Sequence, residues 1–317
     1  MQLPEELQRA LEREIETGSH ESLQRAAERI TKHYRSEKNS GSLFMDSDVR
    51  RAYLAVRMPA TYAAVCTVLK ECRKALLDWS PRSMVDIGAG PGTGGWAAAE
   101  EFPSLRSLCN YEPSRPIIEI GQRLARASLN PLIRDAEWID SNKIPAADLT
   151  LLSYVIGEMN KTERMELLSR IWNQDSQVFV IIEPGTPAGF QRILEIRDWA
   201  LSLGANLIAP CPNIKKCPAE PPNWCHFPAR VDRTRLHKIL KGGTLGYEDE
   251  KFSYLAFGKI PIRLPYGRVV GNPKKNKGFV QIPLCVDGCL KEIIVSRKEN
   301  DYRSARDVEY GDSWINY

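Results

Sequence analysis

The sequence lacks the segments that carry a chain into or across a membrane. Its N-terminal stretch, MQLPEELQRALEREIE, has neither the basic start nor the apolar core of a secretory signal, and none of its 317 residues falls in an apolar run of 18. These absences predict a soluble protein with no membrane partner. We expect it to be a monomer. We expect it in the cytoplasm, or in the mitochondrial matrix if the source is a eukaryote, although no transit peptide is seen.

Cysteine is also scarce, with eight in the chain. That number is too low for a secreted domain held together by disulfides, and in a reducing compartment a local cysteine cluster more often binds metal. Cys66, Cys72 and Cys109 lie in apolar surroundings typical of small buried residues. The other five are concentrated in the last third of the chain, where a metal site is therefore to be sought.

Three regions follow from the pattern along the chain. Residues 1–80 are predicted to be helical, since apolar residues recur every three or four positions. Residues 81–260 alternate strand-like runs with helices, which predicts a doubly wound, mainly parallel sheet. Within that region PLIRDA is interpreted as a strand and FSYLAFGKI as an edge strand. Residues 261–317 have short strand-like pieces separated by turns, which predicts a small β-rich module.

A glycine loop, VDIGAGPGTGG, follows the first predicted strand and opens a helix. Its spacing is D-x-G-x-G-x-G, unlike the G-x-G-x-x-G of dinucleotide folds, and an acidic residue ends the next strand, where it can bind ribose hydroxyls. The loop looks like that of a class I S-adenosylmethionine-dependent methyltransferase with a Rossmann-like fold. The predicted cofactor-binding residues are Asp86, Gly88, Ala89, Gly90, Gly92, Glu112, Asp135 beside the adenine, and Ser153 beside the methyl donor.

No catalytic motif accompanies the loop. A base N-methyltransferase carries Asp/Asn-Pro-Pro-aromatic after the fourth strand, but this chain has LLSYVIGEMN there, and no cysteine stands where a 5-methylcytosine enzyme places its nucleophile. Glu158 and Glu183 are the ionisable groups nearest the expected methyl position, either as a general base or as a cap that fixes a loop. The sequence predicts S-adenosylmethionine binding and leaves the catalytic residue unknown.

The loop 211–227, CPNIKKCPAEPPNWCHF, contains three cysteines spaced C-x5-C-x7-C. Structural zinc sites use tighter pairs, and radical S-adenosylmethionine enzymes use C-x3-C-x2-C, so this spacing favours a larger iron–sulfur cluster. A fourth ligand is needed. His226 is adjacent to Cys225, and neighbours in sequence rarely reach one site together, so Cys285 and Cys289 are the better candidates.

Several motifs together resemble a known family. The glycine loop, IIEPGTPAGF, CPNIKKCP, NWCHFPARV and the tail GFVQIPLCVDG…YRSARDVEYGDSW are similar to the methyltransferase-like family that assembles the small ribosomal subunit, represented by mitochondrial methyltransferase-like protein 17 and its bacterial relatives. The resemblance implies a [4Fe–4S] cluster held by Cys211, Cys217, Cys225 and Cys285, with zinc as the alternative. It also implies an association with small-subunit ribosomal RNA and leaves methyl transfer uncertain.

The charge distribution bears on that partner. The net charge is only +4, but residues 251–286 contain no Asp or Glu while they contain seven Lys and Arg. With Trp224, Phe227, Tyr266 and Phe279 nearby, this stretch is what phosphates and unstacked bases would bind. We predict a methyltransferase-like protein that acts on small-subunit ribosomal RNA or the pre-ribosomal small subunit in assembly or translation. The alternative is a non-catalytic RNA-binding assembly factor with a structural zinc or iron–sulfur site.

Overall fold

A computed structural model describes residues 1–16, 19–35, 43–140, 143–241 and 244–315. The chain forms two compact units, each built from separate stretches. The first unit is Met1–Leu69, Ser80–Gln177 and Ala229–Glu250, and the second is Lys70–Trp79, Val178–Pro228 and Lys251–Tyr317. The division into regions 1–80, 81–260 and 261–317 stays a prediction, because these units follow packing and not chain order.

The helices are α1 (Glu5–Ile15), α2 (His20–Arg35), α3 (Ser47–Val56), α4 (Met58–Ala75), α5 (Thr93–Glu101), α6 (Arg115–Ala125), α7 (Pro131–Arg134), α8 (Lys161–Trp172), α9 (Pro187–Ser202), α10 (Arg235–Lys241) and α11 (Tyr302–Asp307), with 3-10 turns at Leu43–Met45 and Ile156–Glu158. The strands are β1 (Ser83–Ile87), β2 (Ser107–Tyr111), β3 (Glu137–Ile139), β4 (Leu149–Ser153), β5 (Val178–Pro184), β6 (Asn206–Ala209), β7 (Phe227–Asp232), β8 (Tyr247–Gly258), β9 (Gly267–Val269), β10 (Lys274–Asn276), β11 (Phe279–Val286), β12 (Cys289–Ser296) and β13 (Ser313–Trp314).

The N-terminal residues are helical where they are described; residues 17–18 and 36–42 of the predicted helical stretch lie outside the described residues. In α1 the apolar side chains at positions 7, 11 and 15 are buried on one face. In α3 the Asp46 side chain accepts a hydrogen bond from the Asp48 N–H and caps the helix. No single described helix is long and apolar enough to cross a bilayer; only α3 and α4 together, bent by 44°, would pass that test.

The first unit contains the parallel strands β3-β2-β1-β4, in that order. The interpretation of PLIRDA as a strand is wrong, since Pro131–Arg134 is the short helix α7 and the strand is the next segment, Glu137–Ile139. Asn130 explains the helix, because its side chain accepts from the Leu132 N–H and the proline occupies the first helical turn. The carboxyl end of β3 is therefore followed by Asp140, and Asp135 precedes the strand.

The second unit contains strands in the order β5-β8-β6, with β8 antiparallel to both neighbours. The prediction of an edge strand for FSYLAFGKI is wrong, because β8 lies in the middle of these three strands. Residues 252–258 are buried without alternation, as expected for a strand with neighbours on both sides and both faces covered. The strand orders 3-2-1-4 and 5-8-6, with the antiparallel strand next to β5, are those of a class I S-adenosylmethionine-dependent methyltransferase fold. The predicted α/β fold class is confirmed.

A small antiparallel sheet in the second unit confirms the predicted C-terminal β module. Its order is β10-β11-β9-β13, and β12 pairs with β11. Every second residue of β11, from Val280 to Val286, faces a core shared with Val295, Ala305 and Trp314. Asp287 and Gly288 both have positive φ, so they form the kind of tight turn that joins two twisted strands.

Candidate functional site

The glycine loop has the backbone conformation that its sequence predicts. Gly88, Gly90 and Gly92 have φ of 70°, 55° and 85°, a region that only glycine adopts at little cost. The N–H groups of Gly88 and Ala89 donate to the carbonyl of Tyr111 at 2.8 and 3.0 Å, which fixes the loop to the end of β2. Helix α5 begins directly after Gly92, so its free N–H groups lie at the loop.

Glu112 is brought to this loop as predicted. Its carboxylate accepts hydrogen bonds from the N–H groups of Gly90 at 3.0 Å and Ser114 at 2.9 Å. Burial nevertheless raises the pKa of Glu112, because the two bonds offset only part of the cost of desolvation. Each oxygen retains a lone pair that a ribose hydroxyl can use.

Trp138 on β3 fills the space beside the loop. A Cβ atom added to Gly92 would lie 3.2 Å from Cη2 of this indole, and one added to Gly121 in α6 would overlap it. Glycine at both positions therefore makes room for the Trp138 ring.

Asp86 is fully buried at the end of β1, and neither carboxylate oxygen has a hydrogen-bond partner among the described residues. Burial is the main reason that its pKa is raised to about 7, with a smaller contribution from the charge of Glu112, while the nearby N–H of Gly94 in α5 lowers it in part. A buried acid with so few donors around it, under a glycine loop, is available to a cationic ligand.

Replacement of Asp86 by Asn should flatten the dependence of stability on pH. The folded chain holds the Asp86 proton up to about pH 7, whereas the unfolded chain releases it near 3.8, the ordinary value. The free energy of unfolding of the wild type should thus fall between those values, by up to ~1.4 kcal/mol per pH unit, and Asp86→Asn should lose this contribution. Urea unfolding from pH 4.5 to 7.5 measures it. Asp135→Asn, at an exposed aspartate, is the matched control, and equal slopes for Asp86→Asn and wild type would contradict the expectation.

Asp135 is not brought to the glycine loop. Because β2 and β3 are parallel, a residue before β3 lies at the amino edge of the sheet, and the loop is at the carboxyl edge. Asp135 is exposed and forms an ion pair with Arg134 at 3.0 Å. Asp140 instead follows the carboxyl end of β3, where the carbonyl of Ile139 accepts from the Glu112 N–H at 3.0 Å.

Ser153 ends β4 and is followed by a network that the sequence did not predict. Tyr154 has a φ of 58°, and its hydroxyl lies 3.2 Å from a carboxylate oxygen of Glu250. Arg57 from the bend between α3 and α4 donates two hydrogen bonds to Glu250, at 3.0 and 3.2 Å, and its guanidinium lies over the Tyr154 ring. Residues almost 200 positions apart thus meet next to the end of β4.

Tyr53 of α3 was also missed. Its hydroxyl lies 3.8 Å from the position that a Cβ atom on Gly90 would take, and burial raises its pKa to about 12. The charge of Glu158 raises the pKa values of Tyr53 and Glu112, so Glu158 lies on the side of the glycine loop. In the sequence, the apolar residues that recur every three or four positions indicate that α3 packs against other elements, but they do not indicate that it packs against this loop.

Glu183 has a structural role in the second unit. It is fully buried in β5, and its carboxylate accepts from Nε of Arg192 in α9 at 2.7 Å. This ion pair joins the strand to the helix that follows it, which agrees with the loop-fixing alternative considered for this residue.

The three cysteines of the loop 211–227 converge. Cys211, Cys217 and Cys225 line one cavity of about 30 Å³, together with Arg197. Burial raises the pKa of Cys225 well above its ordinary value, and the neighbouring thiols, Cys285 among them, raise it further. Among the described residues, no three His, Cys, Asp or Glu side chains are arranged to hold a metal ion as they stand.

Cys285 faces this site and Cys289 does not. In β11 the residues that alternate with the buried ones point away from the module core, and Cys285 is one of them. Burial raises the pKa of Cys285 to about 12, with further contributions from Cys211 and Cys217 and a smaller one from Cys289 across the turn. Cys289 is paired with Val286 across the two strands, and residues directly opposite each other share a face of the sheet. Cys289 is therefore on the same face as Val286, the face opposite to Cys285, and it is exposed there at the end of the strand. Lys215 also pairs with Asp287, which joins the β11–β12 turn to the cysteine loop.

Two buried arginines stand beside the thiols. Arg268 donates to the carbonyls of Pro210 and Gly311, each at 2.8 Å, and forms an ion pair with Glu71. Arg197 donates to the carbonyl of Lys215 at 2.6 Å. The thiol site is therefore anchored by hydrogen bonds to loop carbonyls and lies in a positive electrostatic environment.

The predicted RNA-binding stretch needs two corrections. Arg268 and Phe227 are each 2% exposed, so neither can contact RNA. The exposed basic residues of the stretch are Lys251, Lys259, Arg263, Lys274, Lys275 and Lys277. The last three are clustered on and next to β10, and the half-exposed Tyr266 precedes them.

Comparison with known proteins supplies the family. The model of the family described as mitochondrial small ribosomal subunit Rsm22 matches residues 47–315. The chain belongs to the Rsm22 family. This Rsm22 family member is 24% identical to the human mitochondrial ribosome assembly protein METTL17 and 26% identical to the mitochondrial Rsm22-cox11 tandem protein 2 of Schizosaccharomyces pombe, over 82% of the chain in both cases. It spans 61% of the human relative's length and 42% of the yeast relative's.

Several solved structures similar to this Rsm22 family member are named as methyltransferases. One is the magnesium protoporphyrin IX methyltransferase of Synechocystis, with 10% identity, a TM-score of 0.41, and coverage of 63% of this chain and 80% of that one. Another is the mitomycin 7-O-methyltransferase MmcR, with 17% identity, a TM-score of 0.43, and coverage of 74% and 68%. The fold class follows from the strand order and the glycine loop of this chain.

Proposed function

We propose that this protein is an S-adenosylmethionine-binding, iron–sulfur-containing, methyltransferase-like factor that acts on small-subunit ribosomal RNA during ribosome assembly. One observation carries the proposal: in a chain of the Rsm22 family, the loop thiols and Cys285 come together beside a methyltransferase fold. The curated relatives are named as mitochondrial proteins, and one of them as a ribosome assembly protein. We place the protein with the small ribosomal subunit, and in the mitochondrial matrix if the source is a eukaryote.

The residues of the glycine loop fit S-adenosylmethionine. The three positive-φ glycines allow the cofactor to approach the backbone, and Glu112 offers its remaining lone pairs to the ribose hydroxyls. Asp140 replaces Asp135 as the acidic residue beside the adenine, because it follows the correct end of β3. The buried Asp86, once ionised, would stabilise the positive end of the cofactor. When bound, the cofactor supplies an electrophilic methyl group.

The cysteine site fits a [4Fe–4S] cluster better than zinc. Four thiols from a wide C-x5-C-x7-C loop and a distant strand match a cluster whose ligands lie farther apart than those of one ion. Four thiolates would give a bound cluster a net negative charge, and the buried Arg197 and Arg268 would stabilise that charge. Cys211, Cys217, Cys225 and Cys285 would hold the cluster, and its role would be to join the β module to the cysteine loop.

A non-catalytic assembly factor is the second candidate, and Tyr154 favours it. Tyr154 is the first residue after β4, where a base-binding motif would hold its substrate, and it is bound to Glu250 within the chain. The ion pair of Glu250 with Arg57 is partly buried and is made through two hydrogen bonds, so that this arrangement is costly to open.

Crosslinking to immature small subunits, followed by a methylation assay, tests both candidates. We expect the wild type to crosslink to small-subunit RNA. The triple variant Lys274→Glu, Lys275→Glu, Lys277→Glu should bind RNA more weakly, and the slope of the logarithm of its binding constant against the logarithm of salt concentration should be smaller by about one for each lysine. Methyl incorporation would support the enzyme, and crosslinks without it would support the assembly factor.

The matched control reverses three exposed charges elsewhere in the module, at Lys298, Arg303 and Arg306. If this control weakens RNA binding as much as the β10 variant does, the assignment of the surface around β10 is contradicted. If the wild type does not crosslink at all, the RNA partner is contradicted.

A further inference from the structure

Arg197 is a buried cation, and one of its three nitrogens has no hydrogen-bond acceptor among the described residues. It projects from α9 and is 4% exposed. Its Nη2 donates to the carbonyls of Asn213 and Lys215 at 3.3 and 2.6 Å, and its Nη1 donates to Asp198 at 3.2 Å. Its Nε is buried and has no acceptor among the described residues. A buried donor without an acceptor destabilises the fold by about 1–3 kcal/mol, so we expect a bound group to supply an acceptor for this Nε–H.

The cavity beside Arg197 is where an acceptor would be. Arg197 lines it together with Cys211, Cys217 and Cys225. Its Nη2 also holds the carbonyl of Lys215, and Lys215 pairs with Asp287, two residues after Cys285. Arg197 therefore lies beside the loop thiols and on the part of the loop that contacts the β11–β12 turn.

Arg197 differs from Arg268 in how its charge is balanced. Arg268 is paired with Glu71, which is itself almost completely buried, so that its charge is largely compensated. In the described part of the chain, the only carboxylate that pairs with Arg197 is that of Asp198, whose side chain is 68% exposed and screened by water. The guanidinium of Arg197 is thus the less compensated positive charge at the site.

We propose that Arg197 is the positioning residue of the iron–sulfur cluster, with its Nε–H donating to a cluster or thiolate sulfur while its Nη2 holds the loop carbonyls. This inference rests on the proposed cluster. One planar guanidinium would then fix both the loop and the cluster. Reduction by one electron makes the cluster more negative, so a nearby buried positive charge and an N–H donor stabilise the reduced form and raise its reduction potential.

A redox titration of anaerobically purified protein tests the inference. Iron content is measured first, and the bleaching of the visible absorption is then followed as the potential is lowered with dithionite and mediators. We expect Arg197→Gln to shift the midpoint to more negative values, Arg197→Lys to shift it less, and Arg306→Gln, which removes an exposed charge from α11, to leave it unchanged. An unchanged midpoint in an iron-loaded Arg197→Gln would overturn the inference and leave the cluster standing. A wild type without iron would instead overturn the proposed cluster.

Loss of the loop hydrogen bonds could by itself prevent Arg197→Gln from loading iron. In that case, resonance Raman spectra of wild type and Arg197→Lys in H₂O and D₂O decide the matter. We expect the iron–sulfur bands of the wild type to shift on deuteration, and those of Arg197→Lys to shift less, since lysine has no Nε–H. Equal isotope shifts in the two proteins would overturn the hydrogen bond.

Discussion

Cys225→Ser should purify as a nearly colourless protein with less than about one iron per chain, whereas the anaerobic wild type should be brown, absorb broadly near 400 nm and contain about four. Cys225 is the thiol whose pKa responds to all three of the other thiols, so it lies within reach of each of them. A serine hydroxyl is a poor ligand for iron. Without the Cys225 thiol, we expect the protein not to retain the cluster.

Cys285→Ser and Cys289→Ser make a matched pair for the fourth ligand. The two residues lie at opposite ends of the same tight turn, but only Cys285 shares a face with the loop. We expect the first variant to lose iron as Cys225→Ser does, and the second to retain it. Retention of iron by Cys285→Ser would show that another group completes the site, and one zinc per wild-type chain would contradict the iron–sulfur assignment.

Gly90→Arg should abolish the heat that S-adenosylmethionine binding releases in calorimetry. Gly90 has a φ of 55°, so any other residue costs about 1–2 kcal/mol there, and an arginine would also displace the N–H that Glu112 holds. Its long side chain would project from the middle of the loop that the cofactor must approach. We expect the binding signal to vanish.

Gly204→Arg is the matched control for this experiment. Gly204 also has a positive φ, of 77°, but nothing lies within 4 Å of the position that its Cβ would take, and it belongs to the second unit. It should bind the cofactor as the wild type does, provided that unfolding curves show both variants to be folded. Absence of binding by the wild type would contradict the cofactor assignment.

The parts of the site that were predicted from sequence are local in the chain. The glycine loop and Glu112 follow consecutive strands whose patterns are clear, and their geometry is set by hydrogen bonds over about 22 residues. β11 likewise has a strict alternation that shows which face Cys285 occupies. At these positions, the hydrogen bonds and side-chain alternation that determine the structure are between residues close in the chain, so the sequence pattern predicts them.

What was missed depends on pairing over long distances or on very short elements. β3 has three residues, too few for a periodic pattern, and the neighbouring PLIRDA has a similar apolar content. β8 lies between β5 and β6 because of pairing between strands that are distant in the chain, and the local sequence of a strand does not indicate its partners. Arg57 and Glu250 are separated by 193 residues, and neither is distinctive in its own segment.

Trp138 has a consequence for how this sequence can change over evolution. Gly121 stands inside helix α6, where glycine costs about 1 kcal/mol relative to alanine, and the indole of Trp138 is what forbids the alanine. Positions 121 and 138 should therefore covary: relatives with a small residue at 138 are free to regain helix propensity at 121. Gly92 lies against the same ring, but its φ of 85° keeps it glycine whatever residue stands at 138.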